Sequence, residues 1–123
     1  MYAKVLIATD GSPTADRAVE RGLDLAARLG SEAVLLAVAA PEKAKVILDR
    51  TLGEHAHRRQ PITTVSEPGD PANVILDVVE ALDADLVIVG NKGMQGPRRF
   101  LLSSIPNKVA HHARCAVLIV KTT

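Results

Sequence analysis

The chain has 123 residues, 47% hydrophobic and 24% charged, an ordinary globular composition at a length that buries one core, so a single domain over residues 1–123 is expected. A net charge of +1 and an aromatic set of only Tyr2 and Phe100 argue against a nucleic-acid or anionic-membrane partner. They also argue against any site that clamps a flat ring between aromatic side chains.

Cys115 is the sole cysteine, which rules out an intrachain disulfide and points to a reducing cytoplasm. Among apolar neighbours it is expected to be a small buried hydrophobe. No apolar run approaches the roughly 18 residues of a membrane span, and the one after the N-terminus is too short for a signal segment.

The first element is "KVLIAT", residues 4–9, a short apolar run closed by Asp10-Gly11 and read as a buried strand. Ser12 supplies an N-cap and Pro13 a first helical residue. Ala18, Gly22, Leu25, Ala26 and Leu29 follow at helical spacing until Gly30 stops the helix. "EAVLLAVAA", residues 32–40, is a second strand. From Pro41 a helical stretch aligns Ala44, Ile47, Leu48, Thr51 and His55. "PITTVSE", from Pro61, is a third strand, more polar than the others and so expected near a sheet edge. Asp70-Pro71 repeats the cap-then-proline signal before Ile75, Val78, Val79 and Leu82. "DLVIVG" from Asp85, a helix from about Ile105 to Ala113 and "AVLIVK" from Ala116 complete the pattern.

Strands that read as solid apolar runs, alternating with helices, predict an α/β fold: a doubly wound, five-stranded parallel sheet with helices on both faces, Rossmann-like or flavodoxin-like in topology. Such sheets bind ligands beyond the C-terminal strand ends, where the winding direction switches. Asp10-Gly11-Ser12 ends the first strand and Gly90 the fourth, so the two are candidates to meet there.

The stretch "VIVGNKGMQGPRRFLLSSIPNKV", residues 87–109, holds Gly90, Gly93 and Gly96 between a strand and a helix. Glycine permits positive φ and close ligand approach, and a helix start offers free N–H donors and partial positive charge. Lys92, Arg98 and Arg99 add full charge, and Ser104 is placed to cap the helix. Together they describe an anion cradle suited to a nucleotide; the plainer reading is a glycine-shaped surface loop. The spacing matches neither G-x-x-x-x-G-K-[ST] nor G-x-G-x-x-G.

These residues resemble the universal stress protein family over nearly the whole chain: "VLIATDGS", "EPGDPANVIL" and residues 85–120 carry the likeness. The family's ATP-binding pattern is G-x2-G-x9-G-[ST]. Gly90 and Gly93 fill its first two positions and Ser104 its last, while Ser103 stands where the pattern has glycine. The resemblance implies that Thr9 and Asp10 lie near ribose and adenine and that Val38 faces the base. It further implies that Gly90, Lys92, Gly93 and Met94 wrap ribose and phosphates, and that Ser103, Ser104 and the Ile105 N–H close on the phosphate chain. ATP, with Mg²⁺ as a bridging ion, is the implied ligand, and AMP or cyclic AMP are the variants. Asp10 also has a structural reading, as a turn residue bonding its own loop. The resemblance implies a homodimer through the C-terminal strand, and the apolar "CAVLIVKTT" is itself a sticky edge unless covered. The segment from Pro41 to Gln60 is shorter than the family's usual one.

No enzymatic role is expected beyond slow hydrolysis of a trapped nucleotide. Asp10 is the only acid placed at the cradle, where phosphoryl transfer needs a base and a metal carboxylate. His111-His112 are adjacent on a helix and diverge, and "HAH" at residues 55–57 offers no better metal spacing. A phospho-acceptor receiver needs clustered acids, but the third strand ends in Ser66-Glu67. A flavodoxin lacks its aromatics here. The chain therefore reads as a nucleotide-binding stress sensor, with a nucleotide-independent dimeric scaffold of the same fold as the alternative.

Overall fold

A computed structural model describes residues 2–91 and 104–122. The local signals place the elements. Strand β1 is Lys4–Thr9, and helix α1 is Pro13–Leu29. The Ser12 side chain accepts the Ala15 N–H at 3.2 Å, as an N-cap does. Strand β2 is Glu32–Val38 and helix α2 is Pro41–Glu54. Strand β3 is Ile62–Glu67, and helix α3, Pro71–Leu82, starts on an Asp70 cap that accepts the Asn73 N–H at 3.1 Å. Strand β4 is Leu86–Gly90, helix α4 is Ser104–His112 and strand β5 is Ala116–Val120.

Besides one-residue trims at Pro61 and Lys121, the structure departs from the sequence expectation at four places. β2 stops two residues early because Ala40 becomes the N-cap of α2. His55 is the C-cap of α2 instead of a member of its buried face. α4 begins at Ser104, so this residue lies within the helix and not ahead of it as a cap. Asp85 precedes β4: its N–H donates to the Lys4 carbonyl at 3.1 Å, and its carboxylate accepts the Ala3 N–H at 2.8 Å and the Lys4 N–H at 3.0 Å.

Those bonds, the Ala3 N–H foremost, hold the Asp85 carboxyl below its ordinary value. A carboxylate whose pKa is lower folded than unfolded stabilises fully above the unfolded value, and that contribution is lost as pH falls through the folded one. Asp85→Asn should therefore cost most at neutral pH, where that contribution is complete, and flatten the acid limb of the stability curve below about pH 4, read from urea midpoints across pH.

All strands are parallel, in the order β3-β2-β1-β4-β5, so polar β3 is at an edge. Alternate residues face opposite sides. Val5, Ile7, Leu35 and Ile88 pack with Ala18, Val19 and Leu23 of α1 and Ala44, Ile47 and Leu48 of α2. Leu6, Leu36, Val87 and Val89 pack with Ile75, Val78 and Val79 of α3 and Val109 of α4. Gly22 lets α1 lie close on the sheet: a Cβ there would sit 3.0 Å from Ile7 Cδ1 and 3.3 Å from Ile88 Cδ1. Cys115 is half-buried against the second cluster, and burial pushes its thiol up. Among the described residues no helix is long and apolar enough to cross a membrane.

Candidate functional site

The winding direction switches between β1 and β4. β1 pairs with β2 along its whole length, to Thr9↔Ala37, and β4 with β5 to Gly90↔Val120. Between β1 and β4 the paired register ends at Ile7↔Ile88. Helix α1, which follows β1, packs on one face of the sheet, and α4, next in chain order after β4, on the other. In open parallel sheets a switch of this kind is where a ligand crevice forms, at the carboxyl ends of the two strands.

Of the residues singled out from sequence, Thr9, Asp10 and Gly90 are brought to this crevice. Thr9 is fully buried, and its Oγ1 accepts the Gly11 N–H at 3.1 Å, so it shapes the turn that carries Asp10. Asp10 is half-exposed, and its Oδ1 accepts the Ser12 N–H at 2.9 Å, so its turn role is real. Gly90 ends β4 with no side chain over the opening. Val38, half-buried, ends β2 and packs on the α3 side of the sheet. Ile105 is half-buried in the first turn of α4, against the same cluster, and Ser104 is the first residue of that helix. Lys92, Gly93, Met94 and Ser103 lie outside the described residues, as do Gly96, Arg98 and Arg99.

Three residues at the crevice carried no sequence signal. Arg50, on α2, donates from Nη2 to the Gly11 carbonyl at 2.8 Å and pairs with Asp16 at 3.0 Å and Glu54 at 2.7 Å. The Asp16 bond, first among these contacts, raises the Arg50 pKa further. The guanidinium thus staples the turn after β1 to α2. Arg17 of α1 donates to the Thr122 carbonyl at 2.9 Å, and Asn91, next after Gly90, binds the chain beyond β5. Apart from the i,i+4 pair Arg50–Glu54, their side-chain partners lie 31 to 105 residues away, beyond the reach of any local pattern; on sequence each is an ordinary polar surface residue.

A cleft of about 410 Å³ opens between α1 and the end of α2. Three of the carboxylates that line it, Asp16, Asp24 and Glu54, are paired with Arg50 or Arg58. Desolvation, aided by the Arg58 charge, lowers the pKa of His55 in its wall and keeps the ring neutral, as its role of accepting the Arg58 Nε–H at 3.0 Å requires. This is an ion-pair seam between helices. Among the described residues no group of three or more His, Cys, Asp or Glu is placed to hold a metal.

The universal stress protein family model matches residues 1–58 and 39–121. A universal stress protein of Methanocaldococcus jannaschii is 29% identical over 141 aligned positions, covering 98% of this chain and 83% of its own. The alignment is longer than the chain itself, so it carries gaps in this chain. Among solved structures, a universal stress protein in complex with cyclic AMP superposes with a TM-score of 0.84 at 25% identity, covering 99% of both chains. A family protein from Arabidopsis thaliana with AMP bound gives 0.71 at 22% identity, covering 98% of this chain and 92% of that one. With the sheet order, the crevice and the family match in agreement over nearly the full length, this chain belongs to the universal stress protein family.

Proposed function

We propose that the chain binds an adenine nucleotide, ATP or cyclic AMP, at the β1–β4 crevice and acts as a homodimeric, non-enzymatic sensor in the cytoplasm. The observation that carries this reading is the switch between β1 and β4, whose paired register ends at Ile7↔Ile88, with Asp10 following β1 and Gly90 ending β4. The residues present suit such a ligand. Val38 offers an apolar surface for a base, Asp10 an acceptor for ribose hydroxyls, and Gly90 bare backbone for close approach. The start of α4 adds orphan N–H donors for phosphate. The related protein at 25% identity whose solved structure holds cyclic AMP supports the same ligand class. Mg²⁺, in this reading, arrives with the phosphates.

The dimer reading rests on β5. Leu118 and Ile119 are each 39% exposed, on opposite faces of an edge strand. An open edge with apolar flanks is a template for pairing, and a second copy supplies a matching strand.

Calorimetry of nucleotide-free protein with Mg-ATP, and separately with cyclic AMP, tests the ligand; no heat and no thermal shift at millimolar concentration would refute it. Asp10→Asn keeps an acceptor for the Ser12 N–H and removes the charge. Loss of a charge-assisted hydrogen bond is about 1.5–3 kcal/mol, so affinity should fall roughly 10- to 100-fold while the melting temperature without ligand stays near that of the parent.

A further inference from the structure

We propose that Asn91 is a positioning residue that ties the nucleotide crevice to the dimer strand, so that ligand binding and dimer strength depend on each other. This rests on the nucleotide and dimer readings above. The Asn91 N–H donates to the Val120 carbonyl at 2.9 Å, continuing the β4–β5 ladder one step past Gly90. Its side-chain Oδ1 accepts two bonds, from the Thr122 N–H at 2.8 Å and from Thr122 Oγ1 at 2.9 Å. A backbone N–H only donates, so the carboxamide atom facing it is the oxygen, and both of that oxygen's lone pairs are used.

Thr122 is 5% exposed although it lies beyond the last strand. Its carbonyl accepts Arg17 Nη1 at 2.9 Å, and Arg17 lies in α1, the helix that begins just after the Asp10 turn. One buried threonine is therefore held from the β4 wall of the crevice by Asn91 and from the α1 side by Arg17. It follows β5 by two residues, and β5 carries the exposed Leu118 and Ile119. Buried polar atoms do not give up partners without replacement. A ligand that shifts the end of β4 relative to α1 must move Thr122, and with it the register and twist of the edge that the second copy reads.

Linkage makes the coupling reciprocal: whatever factor nucleotide adds to dimer affinity, dimerisation adds to nucleotide affinity. The experiment measures dimer dissociation by sedimentation with and without saturating Mg-ATP, in the parent chain, Asn91→Ala, Asn91→Asp and Thr122→Val. The parent should show at least about a fivefold change in dimer dissociation constant, the lower end of common coupling strengths. Asn91→Ala should bring that ratio below about twofold. Asn91→Asp, which keeps an acceptor for both donors, should restore it, a rescue that a merely structural role at this position would not tie to ligand. Thr122→Val, which keeps the N–H bond and loses the hydroxyl, should fall between them and stands in if Asn91→Ala does not fold.

A parent ratio near one, with nucleotide bound and dimer present, overturns the coupling alone. A full ratio in Asn91→Ala overturns the role of Asn91. Absence of ATP binding by the parent removes the functional reading and this proposal with it.

Discussion

Gly11→Val is expected to destabilise the protein by about 2–4 kcal/mol, a large fraction of the roughly 5–15 kcal/mol that holds a domain folded. Two costs add. Gly11 has φ +82°, in the left-handed region where an L-residue loses about 1–2 kcal/mol and a β-branched one is a clear outlier. A Cβ at this position would also lie 2.9 Å from Ile47 Cγ1 and 3.3 Å from both its Cδ1 and Cγ2. Ile47 is 6% exposed, so it has no open space to retreat into, and overpacking of this kind costs about 1–3 kcal/mol. Urea unfolding of Gly11→Val, alone and combined with Ile47→Ala, separates the costs. The second change should relieve the overlap and leave the backbone penalty, so the pair should be less destabilised than the sum of the singles. Strict additivity would show that Ile47 does not oppose the new side chain. The same substitution should weaken nucleotide binding, because the Gly11 carbonyl held by Arg50 and the Asp10 carboxylate belong to one turn.

The second large effect concerns association. Leu118→Glu should raise the dimer dissociation constant by roughly 100-fold or more, because a two-fold interface presents every change twice and sets like charges against each other. Leu118 is the central residue of β5, the part of an antiparallel strand pair nearest a two-fold axis. At 39% exposure it contributes modestly to the monomer core, so the variant should keep the parent's circular dichroism and much of its melting temperature while sedimenting as a monomer. A parent chain that is monomeric at 100 µM, an order-of-magnitude loading well above common dimer affinities, would refute the interface outright. A variant that stays dimeric would move the interface to another surface.

Much of the architecture was legible before any coordinates. Caps at Ser12 and Asp70, prolines at the first helical positions and solid apolar strands are signals within four residues of one another, and each reports the backbone's own preference. The misplaced boundaries share a cause. Ala40, Ser104 and Asp85 sit at junctions where helix start, strand end and side-chain capping compete, and at Asp85 a neighbour in space takes part. For Asp85 that neighbour is the amide pair of Ala3 and Lys4, more than 80 residues away. β5 carries a different lesson. "AVLIV" has the composition of a central buried strand, yet most of it is exposed or half-exposed in the single chain; an apolar run does not by itself say whether its strand is central or at an edge.

By itself, then, the chain determined its elements, their order, the parallel α/β class and the polar edge at β3, since these follow from periodicity and capping along a short reach of backbone. Only the tertiary structure decided that β1 and β4 are neighbours, that Arg50 holds the Asp10 turn and that Asn91, Thr122 and Arg17 join one network. Those contacts depend on how helices pack across a twisted sheet, and packing brings together side chains that no local spacing relates.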